Sequence, residues 1–354
     1  MEAVFARSED EVLETESSAG AGENVVHRFS FRGGAAEYFR IWAVNVALTA
    51  LTVGIFSAWA KVRTNRYFYA NTFLDGANFE YHARPLSILF ARVVVIAVVV
   101  GGGYWAELYL PGSFVYTLLL LAFLPWAQVR GLSFNARNSS YRNVRFSFRR
   151  GYGLPYLFYI LMGTGVGIFA LPWLLRGYHS FKGGRHKIGA LRFVFYKPSV
   201  MPYIFVLWLL PVAAFSLLFA FAHAAYAATG GPDSPVFFLI YPLAAFVFFY
   251  GQAVLFLMFW RNIGSENGAR IFCDFSAPRF AVLLFVNFFA SVLTLGFLHP
   301  WAKVRKARFL AERMRVVARS GIFDELFTRH GGDEDAVGEE LDASEGFDFD
   351  AGLV

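Results

Sequence analysis

The sequence predicts a membrane protein, mainly α-helical and polytopic. It is built on an internal repeat of strand, membrane segment and Trp-Ala-x-Val-Arg, with short cytoplasmic β-strands. Three observations predict this. Of 354 residues, 57% are hydrophobic and only 16% charged, against about 45–50% and about 25% in a soluble domain. The apolar residues gather in five stretches, roughly 38–59, 86–126, 154–173, 200–260 and 280–301. Each stretch ends in a tryptophan followed by basic residues, and aromatic residues make up 19% of the chain, as suits interfacial belts.

Charge is segregated. Residues 1–24 carry seven acids against Arg7, and 324–354 carry eleven against Arg329, which leaves 25–323 with a net charge of +22. Both acidic ends read as disordered tails. The intervening 25–323 reads as one membrane-embedded repeat domain, with modules at about 25–70, 71–137, 138–185, 186–266 and 267–323. The first 30 residues lack a basic stretch followed by an apolar one, so no signal peptide is expected. Insertion through an internal segment fits a bacterial inner membrane.

The repeat is read from two landmarks. The first is the tryptophan, at Trp59, Trp126, Trp173, Trp260 and Trp301; the clearest copies are Trp59-Ala-Lys-Val-Arg63, Trp126-Ala-Gln-Val-Arg130 and Trp301-Ala-Lys-Val-Arg305. Copies one and five match without a gap at an offset of 242, pairing Asn45 with Asn287, Gly54 with Gly296 and Arg66 with Arg308. The second is an alternating aromatic run before each stretch: Phe29-Ser-Phe31, Phe79-Glu-Tyr81, Phe146-Ser-Phe148, Phe193-Val-Phe195 and, less cleanly, Phe272 to Phe275. Apolar–polar alternation reads as a short half-buried strand. Three times the run begins 20 residues after the tryptophan, with Asn71 and Asn138 also in register. The connectors carry turn signals at Asp75-Gly76 and Gly183-Gly184.

Residues 86–126 are long enough for two spans with a turn within 101–112, and 200–260 for a second hairpin turning through 229–233. Neither turn holds Lys or Arg, so both should face away from the cytoplasm. Stretches 38–59, 154–173 and 280–301 have basic residues on both flanks. Two readings compete. In one they are re-entrant, broken at Gly54, at Gly163-Thr-Gly-Val-Gly167 and at Gly296 with Pro300, which keeps all five strands and both tails in the cytoplasm. In the other they cross once each, giving seven spans and a broken charge rule.

The tryptophans and cations suggest an interface with the phospholipid bilayer and its anionic cytoplasmic lipids: Trp59, Lys61, Arg63, Arg66, Trp126, Arg130, Trp173, Arg176, Trp301, Lys303, Arg305 and Arg308. Cations at that level gain about 1 kcal/mol each from anionic lipid. Residues 302–319 read as a basic amphipathic interfacial helix. The competing reading of these cations is topology anchoring. Among intramembrane polar residues, Asn45, Asn287, Thr52 and Thr294 stand out by equivalence, the asparagines as hydrogen-bonding groups between repeats or as helix-packing glue. No carboxylate falls deep in a stretch, which counts against ion-coupled pumping.

Catalytic signatures are absent: His-Glu-x-x-His, Gly-x-x-x-x-Gly-Lys and Gly-x-Ser-x-Gly do not occur. His179 and His186 read as solvated loop histidines without a third metal ligand, and one cysteine, Cys273, excludes a disulfide or a cysteine cluster. No metal, cofactor or nucleic-acid partner is expected.

The combination of Phe31-Arg-Gly-Gly, Glu37-Tyr-Phe39, Asn45, Leu51-Thr-Val-Gly54, Trp59 to Arg63, Arg66-Tyr67, Asn71-Thr72 and Asp75-Gly76 resembles the YjgN family of bacterial inner-membrane proteins. So does Leu293-Thr-Leu-Gly296 with Pro300 to Arg305. The resemblance covers roughly 28–315. It implies an inner-membrane location and a domain of unknown function, with no catalytic residues to carry over. The expected function is non-enzymatic: a structural or regulatory module whose basic cytoplasmic face binds anionic lipid or a protein partner. A passive channel or transporter for a small solute, lined by the glycine-broken segments, is the alternative.

Overall fold

The computed structural model describes residues 24–108, 112–229 and 240–321; the acidic tails and the second outer turn lie outside the described residues. Ten short antiparallel strands close into one barrel. They are β1 (Asn24–Phe31), β2 (Thr72–Leu74), β3 (Ala77–Tyr81), β4 (Ser139–Tyr141), β5 (Val144–Phe148), β6 (His186–Ile188), β7 (Leu191–Phe195), β8 (Ile263–Ser265), β9 (Arg270–Cys273) and β10 (Met314–Arg319). This corrects the mainly α-helical class: helices predominate by length, but the closed barrel organises them. All five aromatic runs fall on odd-numbered strands or, at Phe275, just beyond one.

Each odd strand leads into a helical pair that returns to the even strand hydrogen-bonded beside it, as in Phe29↔Leu74, Phe79↔Tyr141 and Phe146↔Ile188. The pairs are α1 (Ala35–Leu51) with α2 (Ser57–Asn71), α3 (Pro85–Leu108) with α4 (Gly112–Arg137), α5 (Gly153–Gly163) with α6 (Gly167–Gly183), α7 (Met201–Ala224) with α8 (Tyr241–Arg261), and α9 (Ala277–Leu293) with α10 (His299–Arg313). Every helix packs on the next, and α10 packs on α1, so a ring of ten helices stands on the ring of ten strands.

Tight turns join consecutive units at the far end of the barrel. Asp75-Gly76 and Arg142-Asn143 each place two residues at positive φ between paired strands, as a two-residue turn of the type that matches strand twist requires. β1 and β10 close the circle, with Asn24 opposite Arg319.

The alternating runs have a packing reason. Phe29, Phe79, Phe146 and Phe193 join Leu74, Tyr141, Ile188 and Leu191 in one cluster that fills the barrel. Two residues on, at the mouth, Phe31, Tyr81, Phe148, Phe195 and Cys273 are all buried and pack under the helices. Alternation thus sets two stacked apolar layers on the inner face of the barrel. One backbone bond recurs five times at that mouth: Arg32, His82, Arg149, Tyr196 and Asp274 donate their N–H to the carbonyls of Asn71, Asn138, Arg185, Asn262 and Arg313.

The barrel does not cross a membrane, because its strands are three to eight residues long and a spanning strand needs about 9–11. Among the described residues, α3, α4, α7 and α8 are the helices long and apolar enough to span. Since all ten strands belong to one barrel, each helical pair leaves and re-enters on the same side. That overturns the single-crossing reading of 38–59, 154–173 and 280–301: each is a hairpin that turns near its middle.

Two expectations from the sequence are corrected by the fold. Residues 302–319 are not one interfacial helix; α10 ends at Arg313 and the chain continues as β10. Trp260 is not the fourth copy of the repeated tryptophan. Asn71 and Asn138 donate to the carbonyls of Tyr67 and Phe134, as Asn262 does to Met258. Counting back the same 12 residues from Asn262 reaches Tyr250.

Candidate functional site at the junction of the first and last units

The tips of the short hairpins explain Leu-Thr-x-Gly. In the first, Thr52 donates through Oγ1 to the Leu48 carbonyl at 2.7 Å and accepts from the Phe56 N–H at 2.9 Å. In the last, Thr294 donates to the Ala290 carbonyl at 2.6 Å and accepts from Leu298 N–H at 3.0 Å. One hydroxyl thereby satisfies a carbonyl and an amide at a helix end that has no water to turn to in lipid. Val53 and Gly54 then take φ of 50° and 89°, Leu295 and Gly296 of 51° and 92°. Gly54 N–H reaches back to Thr49 and Gly296 N–H to Ser291, closing the helix with a six-residue loop. The tips are bare and apolar, with Val53 94% and Leu295 90% exposed.

One or two turns below the tip, the asparagines meet the arginines of the tryptophan motif. Asn45 Nδ2 donates to the Ala60 carbonyl and Asn45 Oδ1 accepts from Arg63 Nη1, both at 3.4 Å. Asn287 does the same with Ala302 at 3.0 Å and Arg305 at 3.2 Å. Both asparagines are buried. They link the two limbs of their own hairpins, not one repeat to another.

Arginines nearer the barrel staple three of the five units to the next. Arg66 donates to the carbonyls of Tyr81 and Ala83 at 3.3 and 3.4 Å, Arg261 to Cys273 and Phe275 at 3.1 Å each, and Arg308 to Gly33 at 3.1 Å. The last of these closes the ring between units five and one. The tryptophans are packed rather than free: Trp59 stacks on Phe56, Trp126 lies against Phe123 and under the Arg130 guanidinium, and Trp301 carries Arg305 at 5.0 Å. Trp173 contacts Trp208 edge-on and stays half exposed. Arg176 is partly buried on α6.

Two pockets flank α10 at this junction. One, of about 510 Å³, lies among α1, α2 and α10; Lys61 and Lys303 line it with Asn45, Thr64, Asn65 and His299. The other, of about 430 Å³, lies among α9, α10 and the start of α1 and is lined by Arg279, Arg305, Arg308 and Arg313. Equivalent residues of the first and last repeats, 242 apart in sequence, thus converge.

A family model described as bacterial protein of unknown function (DUF898) matches residues 26–343. The chain belongs to the DUF898 family. It is similar to the inner membrane protein YjgN of Salmonella typhimurium, with 25% identity over 352 residues, 83% of this chain and 89% of the relative. The YjgN proteins of Escherichia coli K12 and O157:H7 are 36% and 35% identical over 149 residues, 40% of this chain and 37% of each relative. No solved structure matches significantly. The resemblance to YjgN holds. With four helices able to span, this DUF898 protein is a multi-pass protein of the bacterial inner membrane.

In this DUF898 chain His179 and His186 are packed side chains, not solvated loop histidines. His186, on β6, packs edge-on to Phe148, bonds the Lys182 carbonyl at 2.9 Å and is pushed down to about 4 by burial. His179 sits against Tyr203, Phe195 and Phe259. Burial also pushes the Cys273 thiol up to about 12, so it is a packing residue and not a nucleophile. Among the described residues no group of three or more His, Cys, Asp or Glu could hold a metal. What sequence reasoning missed is the pairing of Asn45 with Arg63 and Asn287 with Arg305; the shared 18-residue spacing was the available signal.

Proposed function

We propose that this inner-membrane protein is a non-enzymatic module whose basic cytoplasmic face binds anionic lipid. The supporting observation is the 510 Å³ pocket in which Lys61 and Lys303, corresponding cations of two repeats, share a lining with Asn45, Asn65 and His299. Two ammonium groups beside amide donors suit an anionic headgroup, and a pocket of this size is within the usual range of small-ligand sites. The barrel lies on the cytoplasmic side in this reading, because its strands carry Arg28, Arg145, Arg192, Arg270 and Arg315, as the positive-inside rule favours.

Arg66 and Arg308 donate to neighbouring backbone and Arg63 and Arg305 to asparagines. Lys61 and Lys303 are assigned to general anionic-lipid binding because both line the 510 Å³ pocket, Lys303 also standing over the Phe68 ring. The test is exchange of delipidated protein into nanodiscs with and without anionic lipid. Preferential retention of anionic lipid by the wild type, reduced severalfold in Lys61→Gln/Lys303→Gln, is the expected result. Equal retention of zwitterionic and anionic lipid by both proteins overturns the reading.

A further inference from the structure

The second pocket at the junction has a different chemistry. Arg279 stands in the first turn of α9, and Arg305, Arg308 and Arg313 follow along α10. The only carboxylate in the lining is Glu312, which leaves a formal +3. Val282 and Trp301 form an apolar wall on the same lining and are 47% and 38% exposed. Charge sits toward the barrel, where α9 begins and α10 ends; the apolar wall runs toward the hairpin tip.

Several of these guanidiniums are held in place. Arg308 is fixed by the Gly33 carbonyl through Nη2, Arg305 by Asn287 and the Trp301 ring, and Arg313 lies over the Phe309 ring at 4.9 Å. A guanidinium has five donors, so each keeps some for a ligand. Arg279 makes no hydrogen bond or ion pair among the described residues and is exposed at the rim.

We infer that this pocket binds the phosphate monoester headgroup of a lipid, with the phosphate among Arg279, Arg308 and Arg313 and an acyl chain along Val282 and Trp301. Arginine forks match phosphate oxygens two at a time. A monoester reaches a charge near −2 because its second ionisation lies near pH 6, and clustered guanidiniums favour that form. A phosphodiester offers one negative charge, and a zwitterionic headgroup brings an ammonium that the arginines repel. The inference deepens the anionic-lipid reading and rests on it, but on a separate set of residues.

The experiment uses delipidated full-length protein in detergent, with native mass spectrometry counting bound phosphatidic acid, phosphatidylglycerol and phosphatidylcholine. A parallel arm adds soluble glycerol 3-phosphate. The expected result is one tightly retained phosphatidic acid per chain. Arg279→Gln and Arg313→Gln should each weaken it about tenfold, and Glu312→Gln should tighten it. Lys61→Gln/Lys303→Gln should leave it unchanged while lowering general anionic-lipid retention, so the two readings fail separately. Unchanged melting temperatures of the Arg279 and Arg313 variants exclude misfolding. Equal retention of all three lipids overturns the inference. So does indifference to the arginine changes, or glycerol 3-phosphate binding as tightly as phosphatidic acid.

Discussion

Arg305 donates through Nη1 to Oδ1 of Asn287 at 3.2 Å, and Asn287 in turn donates to the Ala302 carbonyl three residues before that arginine. The side chain is therefore a clasp between α9 and α10, repeated between α1 and α2 by Asn45, Ala60 and Arg63. It ties an apolar limb to a basic one and draws the guanidinium inward along the return helix.

Breaking the clasp should cost stability. Asn287→Leu leaves a buried carbonyl and a guanidinium without that partner, a loss of about 1–3 kcal/mol. In a double-mutant cycle with Arg305→Met, the combined loss should be smaller than the sum of the single losses. Thermal unfolding in detergent reads both; strictly additive losses would show that the two side chains are not coupled.

The hairpin tip is sensitive to backbone conformation alone. At Gly296, where φ is 92°, a Cβ would meet nothing within 4 Å, so Gly296→Ala carries only the cost of a left-handed residue, about 1–2 kcal/mol. Thr294→Val also removes a hydroxyl that serves two backbone groups and should cost at least as much. Melting curves of the two variants check the order.

Every inter-unit turn should report one side of the membrane. Single cysteines at Asn143, Ala190 and Gly268 should react with an impermeant maleimide only in inside-out vesicles, and cysteines at Val53 and Leu295 in neither orientation. Cys273 is silent background, since burial raises its thiol to about 12. Turn positions labelled from opposite sides would refute a single barrel.

The seam between β10 and β1 is one more inter-unit pairing. A permutant that joins Arg319 to Asn24, which are partners in the ladder, and opens at Arg142-Asn143 should fold with a melting temperature close to that of the unpermuted core. Aggregation of this permutant, with a fold retained on opening at Gly268, would instead mark the Arg142 turn as a nucleus.

Acid should weaken the barrel through His186. Its folded pKa of about 4 lies below the ordinary 6.5 because burial disfavours the charged ring. The neutral ring contributes fully above pH 6.5; as pH falls toward 4 the unfolded chain takes up a proton that the folded one refuses, so stability declines through that window. Melting temperature against pH should fall between these limits, and His186→Phe should flatten the slope.

Much of the fold is legible because the repeats print it. Phe-x-Phe marks strands by alternation, and the offset of 242 aligns the first and last hairpins from residue identities alone. Four of the even strands, Thr72–Leu74, Ser139–Tyr141, His186–Ile188 and Ile263–Ser265, escape because they are three residues long and follow their helices almost without a break; β10 is hidden in a basic run continuous with α10. Three residues cannot display a period of two. Without them the barrel reduces to five unconnected strands, and the fold class is misread. The fourth tryptophan misleads for a related reason: residue type stands in for position, whereas the Asn262–Met258 cap identifies Tyr250. At the candidate site, the cations of the tryptophan motif are legible as a set, but which of them staple a neighbouring unit depends on which backbone carbonyls the barrel brings beside them.

The unequal lengths of the helical pairs give the molecule a tapered outline. Among the described residues ten helices crowd the leaflet next to the barrel, and of these α3, α4, α7 and α8 are long enough to reach the opposite one; α5, of 11 residues, extends about 16 Å. The cross-section is therefore broader in one leaflet than in the other, and the lipids above the short hairpins must thin or tilt to cover Val53 and Leu295. A body of this outline is a wedge, with its thick end at the barrel.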